Sequence, residues 1–371
     1  MPIWDFPVSE EIVAAASAAL GAPLTDQATL VSSDRAVVLR CRIGDQAGHT
    51  VIVKAYVPAG DGAEGFRAEA AGLEFAAGAA APDLLAVDQA RLLIVMSDLG
   101  EVPSLADTLL GADPQAAHEQ LLQWTRACGA LAVATGGRAA EFARARARHE
   151  DADGPARPHW LEQRIWLLPG LLAELSIEPP EELAGDLARV AGLMSATDCQ
   201  VFSPGDQCPD NCLVTAEGIR FIDFESAEFH SAFLDAAYLT MPFSSCWCVF
   251  RLPASLARAA LAEYRHAVSA LFPALAADEV WLPGLRLAQT AWTLHSTSHL
   301  LGPSMIADGS MLPSAKAAPT ARQLLRYRWA QLADELGRAG ELPAICALMR
   351  QLLTMSETWQ SPALPLYPAF R

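Results

Sequence analysis

The sequence has no basic stripe. Across 371 residues, 26 lysines and arginines face 43 aspartates and glutamates, which gives a formal net charge of −17. Nucleic-acid binding proteins normally cluster positive charge to neutralise phosphates, so the composition excludes a nucleic-acid substrate. Acidity is compatible with a cationic small-molecule partner, although net charge is mainly a determinant of solubility.

The sequence also lacks an apolar segment of the roughly 20 residues that cross a bilayer. Its longest apolar runs, Leu84 to Val87 and Leu92 to Met96, are interrupted by charge well short of that length. Near the N-terminus, Asp5, Glu10 and Glu11 stand where a secretory signal would carry basic residues. We therefore expect a cytoplasmic location and no association with membranes.

No dense cysteine framework is present, because the 8 cysteines are spread through a long chain. This distribution is typical of a protein in a reducing compartment, and we expect no disulfides. Four cysteines form two close pairs, Cys208 with Cys212 and Cys246 with Cys248. A zinc site is the alternative for these pairs, but neither has the two-residue gap of zinc knuckles, so core filling is favoured.

Three oxygen-bearing side chains lie in one short stretch of the sequence. Asn211 comes directly before a short apolar run, and Asp223 lies in a second run, Ile219 to Phe224. The two runs and the turn between them predict a β-hairpin, whose antiparallel pairing brings Asn211 and Asp223 together. Carboxylate and amide oxygens suit Mg²⁺, and Asp206 is placed to orient an attacking hydroxyl. One such residue alone usually forms a turn, so the joint spacing carries the prediction.

This stretch resembles the aminoglycoside phosphotransferase and choline kinase-like family, whose members have the protein-kinase fold. The resemblance covers Gly205-Asp206, Asn211, Ile222-Asp223-Phe224-Glu225 and Asp235-Ala236-Ala237. It implies that Asp206 is the catalytic base and that Asn211 and Asp223 hold Mg²⁺. It also implies that Asp235 supports the loop structurally.

The sequence departs from the family pattern at Pro204, where the family usually has a histidine that braces the loop. The change affects loop geometry and removes no reacting group. Pro204 keeps open an alternative function, a catalytically silent nucleotide-binding or scaffold protein of the same fold. The presence of Asp206, Asn211, Asp223 and Lys54 favours the enzyme.

The N-terminal region begins with a predicted helix, Ser9 to Leu20, followed by strand-like runs. These runs are Ala28 to Ser32, Ala36 to Arg42 and Thr50 to Tyr56. In the family, the first hairpin of the N-lobe covers the nucleotide phosphates. Here its tip has Ser32 and Ser33 without glycine, similar to the serine-containing loops of some antibiotic kinases. An ordinary polar hairpin tip explains the two serines equally well.

Lys54 is the single cation within the apolar third strand. Its position in the family pattern implies contacts with nucleotide phosphates and with a helix glutamate, whereas a surface-facing lysine is the alternative. A helix is predicted over Gly65 to Gly78, and it offers Glu69 and Glu74 as partners. Five residues of helix separate these two by about 140° of rotation, so only one can face the strand. We select Glu69.

Two further strands are predicted, Pro82 to Val87 and Arg91 to Met96. The family resemblance implies that Val95, Met96 and Ser97 form the hinge whose backbone binds the adenine. A buried strand that runs into a turn would have the same sequence pattern.

The sequence as a whole predicts an α+β, bilobal protein-kinase-like fold. The β-rich N-lobe is expected over residues 1–98 and the mainly helical C-lobe over residues 99–371. The expected reaction transfers the γ-phosphoryl group of ATP, with Mg²⁺, to a hydroxyl of a small molecule such as an antibiotic, a sugar or an amino alcohol. The sequence does not indicate an oligomeric state.

Overall fold

The computed structural model of the chain describes residues 9–44, 48–58, 61–78, 80–149, 159–241, 243, 246–311 and 319–371. Its N-terminal part contains an antiparallel sheet of five strands in the order β1-β2-β3-β5-β4. The strands are β1 (Leu24–Ser32), β2 (Ala36–Ile43), β3 (Thr50–Tyr56), β4 (Leu84–Asp88) and β5 (Leu93–Ser97). Two helices, α1 (Ser9–Leu20) and α2 (Gly62–Phe75), accompany this sheet.

The alternation of side chains along β3 decides what each face of the sheet carries. Val51, Val53 and Ala55 pack with α1 in one apolar cluster. Because successive side chains of a strand point to opposite faces, Lys54 and Tyr56 point to the other face. Tyr56 packs there in the same core as residues of α2. Lys54 is therefore directed toward α2.

The remainder of the chain is mainly helical. Its helices are α3 (Leu105–Leu110), α4 (Pro114–Thr135), α5 (Ala139–Ala147), α6 (Trp160–Trp166), α7 (Leu168–Glu174), α8 (Leu183–Ser195), α9 (Ala232–Thr240), α10 (Ala254–Leu271), α11 (Asp278–Ile306), α12 (Ala321–Ala339) and α13 (Pro343–Met355). Two small antiparallel pairs lie among these helices, β6 (Gln200–Ser203) with β9 (Glu228–Ser231), and the hairpin of β7 (Cys212–Thr215) with β8 (Gly218–Phe221). Within the described ranges, no helix has both the length and the apolar character needed to cross a bilayer.

Ion pairs join α2 to α5, the arginine-rich helix of the C-terminal part. Arg146 pairs with Glu64, and Arg148 pairs with Glu74. His149 lies 3.5 Å from the same Glu74 carboxylate. Arg146 and Arg148 are thus paired with the acidic outer face of α2.

Several predicted boundaries differ from the structure by a few residues, among them the start of β1, which is Leu24 and not Ala28. Two of the differences have a clear backbone feature beside them. The second strand of the hairpin ends at Phe221 rather than Phe224, because Asp223 adopts a left-handed φ of 65° that a strand cannot continue through. Helix α2 spans Gly62–Phe75 rather than Gly65–Gly78. A side chain at Gly62 would come within 1.8 Å of the Val57 carbonyl oxygen, and Gly78 has a φ of 77°.

Close packing of α2 yields a test of how tightly this helix is held. A Cβ at Gly72 would lie 2.8 Å from Ala227 Cβ and 3.0 Å from Phe224 Cβ. We expect Gly72→Ala to lower the free energy of unfolding by about 1–3 kcal/mol, because α2 must move away from this segment. Gly185→Ala in α8 is the matched control, since its Cβ would meet nothing within 4 Å. The control should be neutral or stabilising by up to about 1 kcal/mol in denaturant titrations.

Candidate active site

The Lys54 ammonium lies among three carboxylates. Its Nζ is 2.5 Å from Asp223 Oδ1, 2.8 Å from Glu69 Oε2 and 3.5 Å from Glu225 Oε2. Lys54 is only 7% exposed. Burial lowers the pKa of Lys54, but the carboxylates, Glu69 foremost, outweigh it and hold the pKa well above its usual value of 10.5. Lys54 is therefore a permanent cation in this cluster.

Glu69 is fixed from several sides. It is 1% exposed, receives a hydrogen bond from the Tyr56 hydroxyl, and accepts a second from the Phe224 backbone N–H at 3.3 Å. The structure thus pairs Lys54 with Glu69, whereas Glu74 pairs with Arg148 on the outer face of α2. The α2 carboxylate also bonds the backbone next to Asp223, and so it couples both parts of the candidate site.

The loop that carries Asp206 begins with a residue that must be glycine. Gly205 has a φ of 86°, and a Cβ there would lie 2.1 Å from the Ser226 carbonyl oxygen. The Ser203 hydroxyl accepts a hydrogen bond from the Gly205 N–H at 3.2 Å. The chain therefore makes a tight turn directly before Asp206 and passes close to the segment that follows Asp223.

Asp206 is oriented by two donors. Its Oδ1 accepts hydrogen bonds from the Cys208 N–H and from the Tyr238 hydroxyl, each at 3.2 Å. The Asn211 side-chain amide donates to the Asp206 carbonyl oxygen at 3.3 Å. Tyr238, on α9, is a contact that the sequence reasoning missed, because nothing in its local pattern separates it from a core tyrosine.

Asn211 and Asp223 lie at adjacent ends of the β7–β8 hairpin, as the sequence predicts. The Ile222 N–H donates to the Asn211 carbonyl oxygen at 2.9 Å, which continues the pairing beyond the strands. The Asp223 side chain keeps 32% of its surface exposed. Its carboxylate and the Asn211 amide oxygen form a donor set of hard oxygen atoms, which fits Mg²⁺.

Asp235 lies inside α9 and braces the loop of Asp206, while Ser231 caps the helix. Asp235 Oδ1 accepts from the Ser203 hydroxyl at 3.1 Å and lies 2.8 Å from His230 Nε2. The Tyr264 hydroxyl donates to Oδ2 at 3.4 Å. Burial lowers the pKa of His230, but Asp235 and Glu228 outweigh it and raise the pKa to about 10.

These contacts give the loop a brace although Pro204 stands where the family usually has histidine. Ser203 and His230 contact the same carboxylate and come from paired strands, since Val201 of β6 faces His230 of β9. The sequence reasoning missed both residues, because neither belongs to the family motif that it used.

A disulfide joins Cys208, within the loop of Asp206, to Cys246. The prediction of no disulfides is therefore wrong for this pair. The sequence separation of 38 between the partners explains the error, because spacing alone does not reveal which distant cysteines meet. Trp247 donates from its indole nitrogen to Asp210 Oδ2 at 2.8 Å, so the segment around Cys246 is fastened to the loop twice. Cys212 and Cys248 are free, buried thiols.

Ser32 and Ser33, which are predicted to contact the nucleotide phosphates, lie at the β1–β2 turn. Ser33 Oγ accepts hydrogen bonds from the Arg35 N–H at 3.2 Å and the Ala36 N–H at 3.1 Å, so this hydroxyl organises the β1–β2 turn. Ser32, at the end of β1, is exposed. Phosphate binding by either serine stays a prediction.

The three predicted hinge residues differ in position. Val95 and Met96 lie within β5, which is flanked by β3 and β4. Ser97 ends the strand, and its N–H donates to the Asp83 carbonyl oxygen at 2.9 Å. Asp98 follows and accepts from Arg40 Nε at 2.7 Å, which ties the exit of the sheet to β2. Adenine binding by the hinge stays a prediction.

A cavity of about 130 Å³ lies beside α9. Residues of α9, α11 and α12 line it, among them Thr240, Gln289, Thr293, Arg328 and Glu335. Burial lowers the pKa of Arg328 to about 10 and raises that of Glu335. The walls of the cavity thus contain one basic side chain, Arg328, and one acidic side chain, Glu335.

The comparisons with known proteins find no matching family model and no matching curated protein. Solved structures do match. A choline kinase from Cryptosporidium parvum Iowa II superposes with a TM-score of 0.52 at 13% identity, over 88% of this chain and 93% of that chain. A choline/ethanolamine kinase family protein from Mesorhizobium loti has a TM-score of 0.47 at 14% identity, over 91% and 99% of the two chains. A macrolide 2′-phosphotransferase from Brachybacterium faecium has a TM-score of 0.46 at 17% identity, over 80% and 94%.

The superposition on the choline kinase confirms the fold predicted from the sequence. The chain is a bilobal α+β protein with the protein-kinase-like fold, and the resemblance noted in its motifs extends to its architecture.

The buried ion pair permits a test by double mutation. Lys54→Met leaves Glu69 buried beside no ammonium, and we expect it to lower the free energy of unfolding by about 3–5 kcal/mol. Lys54→Met combined with Glu69→Leu should recover a substantial part of this loss. Arg148→Ala is the control, because its exposed pair with Glu74 is expected to contribute about 1 kcal/mol or less. Equal losses in the single and the double variant would contradict the coupling.

A second test concerns His295 on α11, whose ring packs 5.2 Å from Trp160 and 6.1 Å from Trp292. Burial, helped by the charge of Arg328, lowers the pKa of His295 to about 3. The unfolded chain therefore binds this proton near pH 6.5 and the folded chain only near pH 3. Stability should fall as the pH decreases through this window, by up to about 1.4 kcal/mol per pH unit. His295→Gln should flatten the decline in denaturant titrations, and the exposed-site variant His118→Gln should not.

Proposed function

We propose that the protein is a phosphotransferase that moves the γ-phosphoryl group of ATP to a hydroxyl group of a small molecule. One observation carries the proposal: Lys54, Glu69 and Asp223, which are far apart in sequence, meet in one ion-pair cluster. Asp206 lies in the loop whose turn contacts the segment after Asp223. Phosphoryl transfer needs such an arrangement, in which a cation, metal-binding oxygens and a carboxylate base converge.

Asp206 is the proposed catalytic base. Its carboxylate would accept a hydrogen bond from the acceptor hydroxyl and take the proton as the hydroxyl oxygen forms its bond to the γ-phosphorus. The bond between that phosphorus and the bridging oxygen breaks, and ADP leaves with the electron pair. The donors from Cys208 and Tyr238 hold one carboxylate oxygen in place, which orients the group for this role.

Asn211 and Asp223 are the residues proposed to hold Mg²⁺. Mg²⁺, when bound, supplies positive charge that neutralises the phosphates. Lys54 would contact phosphate oxygens, with Glu69 keeping its side chain in position. In the structure Lys54 contacts Asp223 directly at 2.5 Å. Nucleotide binding would therefore require Lys54 and Asp223 to separate, so that Lys54 can contact phosphate oxygens and Asp223 can contact Mg²⁺.

The rest of the nucleotide site follows the same proposal. Ser32 and Ser33 would contact the phosphates at the tip of the first hairpin. Val95, Met96 and Ser97 would form the hinge, with Ser97 alone at the end of its strand. We place the lobe boundary near residue 98, where the Arg40–Asp98 pair fixes the exit of β5. We also propose that the protein works in the cytoplasm, where ATP is available.

We propose the cavity beside α9 as part of the acceptor site. Thr240 lines it and lies two residues after Tyr238, which contacts Asp206. A cationic acceptor fits the net charge of −17 and the carboxylate of Glu335. Arg328 in the same wall adds a place for an acceptor group of opposite charge.

The catalytically silent protein is the second candidate, and two observations favour it. Pro204 replaces the family histidine, and the first hairpin has Ser32 and Ser33 in place of glycine. The brace built by Ser203, His230 and Asp235 reduces the weight of the first observation.

Variants of the two aspartates test the proposal. Asp206→Asn should retain the thermal stabilisation by ATP and Mg²⁺ but lower turnover about 10²–10⁴-fold, because the base is lost. Asp223→Ala should lose the Mg²⁺-dependent part of the stabilisation. Glu217→Gln is the matched control, since this carboxylate lies in the same hairpin with 76% of its side chain exposed.

The measurements are thermal shift with nucleotide and a screen of small-molecule hydroxyl acceptors. Normal turnover in both aspartate variants would refute the site. Nucleotide stabilisation of the wild type without turnover across a broad acceptor panel would favour the silent protein.

A further inference from the structure

A second cluster of metal-binding side chains lies outside the candidate active site. His159 directly precedes α6, and Glu228 and His230 belong to β9. One ligand atom from each of the three side chains lies within 4.8 Å of the other two. The cluster is well shielded, because the side chains of His159, Glu228 and His230 are 10%, 24% and 5% exposed.

The His159 ring faces the Glu228 carboxylate. Its Nε2 lies 2.9 Å from Glu228 Oε1, and this buried nitrogen is without a well-aligned hydrogen-bond acceptor among the described residues. Two donor atoms this close together can both contact one ion.

His230 has the second contact that metal-binding histidines usually have. Its Nε2 lies 2.8 Å from Asp235 Oδ1, and its Nδ1 lies 3.5 Å from Glu228 Oε1. A carboxylate on one ring nitrogen fixes the tautomer and leaves the lone pair of the other nitrogen for a metal ion. The Asp235 carboxylate is itself held by Ser203 and Tyr264.

Two carboxylates, Glu228 and Asp235, meet two imidazoles in this largely buried space. A divalent cation bound there would offset the two carboxylate charges.

We propose that His159, Glu228 and His230 form a binding site for Zn²⁺ or a similar divalent transition-metal ion. Two imidazole nitrogens and one carboxylate oxygen are a donor set that Zn²⁺ accepts, with a fourth position for water or another ligand. Mg²⁺ prefers oxygen donors alone, so this site differs in chemistry from the one formed by Asn211 and Asp223.

The ion would connect α6 to β9. Strand β9 pairs with β6, which leads into the loop of Asp206, and Glu228 faces Ser203 across the pair. The site thus acts on the position of that loop and takes no part in phosphoryl transfer.

Binding has one local cost. His159 Nδ1 accepts a hydrogen bond from the Leu161 N–H at 3.1 Å at the start of α6. A metal ion on Nε2 moves the ring proton to Nδ1 and removes this cap. The bonds from the metal ion to His159, Glu228 and His230 would offset the loss of this one hydrogen bond at the start of α6.

Titration of the metal-stripped full chain with Zn²⁺ tests the proposal. We expect one tight site per chain by calorimetry and by metal analysis after dialysis, without nucleotide. His159→Asn and Glu228→Gln should each weaken Zn²⁺ binding by about 100-fold or more. Loss of a residue that only supports a metal ligand typically weakens binding by about 10- to 100-fold, and loss of a ligand itself should cost at least as much. His118→Asn, at an exposed position on α4, is the matched control and should bind as the wild type does.

The cysteine pair provides the decisive comparison, because Cys208, Asp210 and Cys246 are also grouped closely enough to hold an ion when the disulfide is reduced. Cys246→Ser should leave Zn²⁺ affinity unchanged if the ion lies at the histidines. Loss of binding in Cys246→Ser with full binding in His159→Asn and Glu228→Gln would overturn the proposal, as would the absence of tight binding in the wild type. Folding of each variant is checked by its thermal transition without metal, and the result is independent of any kinase activity.

Discussion

The buried ammonium of Lys54 is the constraint on which the rest of the site depends. A charge in this position is tolerated only while carboxylates surround it, and those carboxylates are tolerated only while the ammonium is there. Two separate segments supply them: α2 brings Glu69, and the stretch after β8 brings Asp223 and Glu225. The electrostatic requirement therefore selects the relative positions of the sheet, α2 and the hairpin.

Several contacts that look unrelated serve the same arrangement. The Phe224 N–H bonds Glu69, Gly72 lets α2 approach Phe224 and Ala227, and Arg35 at the tip of the sheet pairs with Glu225. Helix α2 and the tip of the sheet are thus both in contact with the segment that follows Asp223. Because Lys54 and Asp223 already neutralise each other, the nucleotide and metal ion of the proposed function would have to compete with an internal partner for each of them.

The sequence predicted those features that depend on local periodicity. Hairpin pairing brings Asn211 to Asp223, and helical rotation allows only one of Glu69 and Glu74 to face the sheet. The choice of Glu69 and the role of Lys54 came from the family resemblance. Features that depend on distant contacts were not predictable in this way. The Cys208–Cys246 disulfide and the approach of His230 to Asp235 depend on how strands and helices pack. The early end of β8 depends on a single left-handed residue, which no alternation pattern reveals.

The Cys208–Cys246 bond has a consequence for chain topology. The covalent loop that it closes contains β7, β8, β9 and α9, and with them Asn211, Asp223, Asp235 and Tyr238. In the chain-entropy description, closing a loop of this length removes roughly 4 kcal/mol of conformational freedom from the unfolded chain. Most of the C-lobe groups of the site therefore belong to one closed ring. Partial unfolding of the flanking helices would leave that ring as a short tethered segment whose ends cannot diffuse apart.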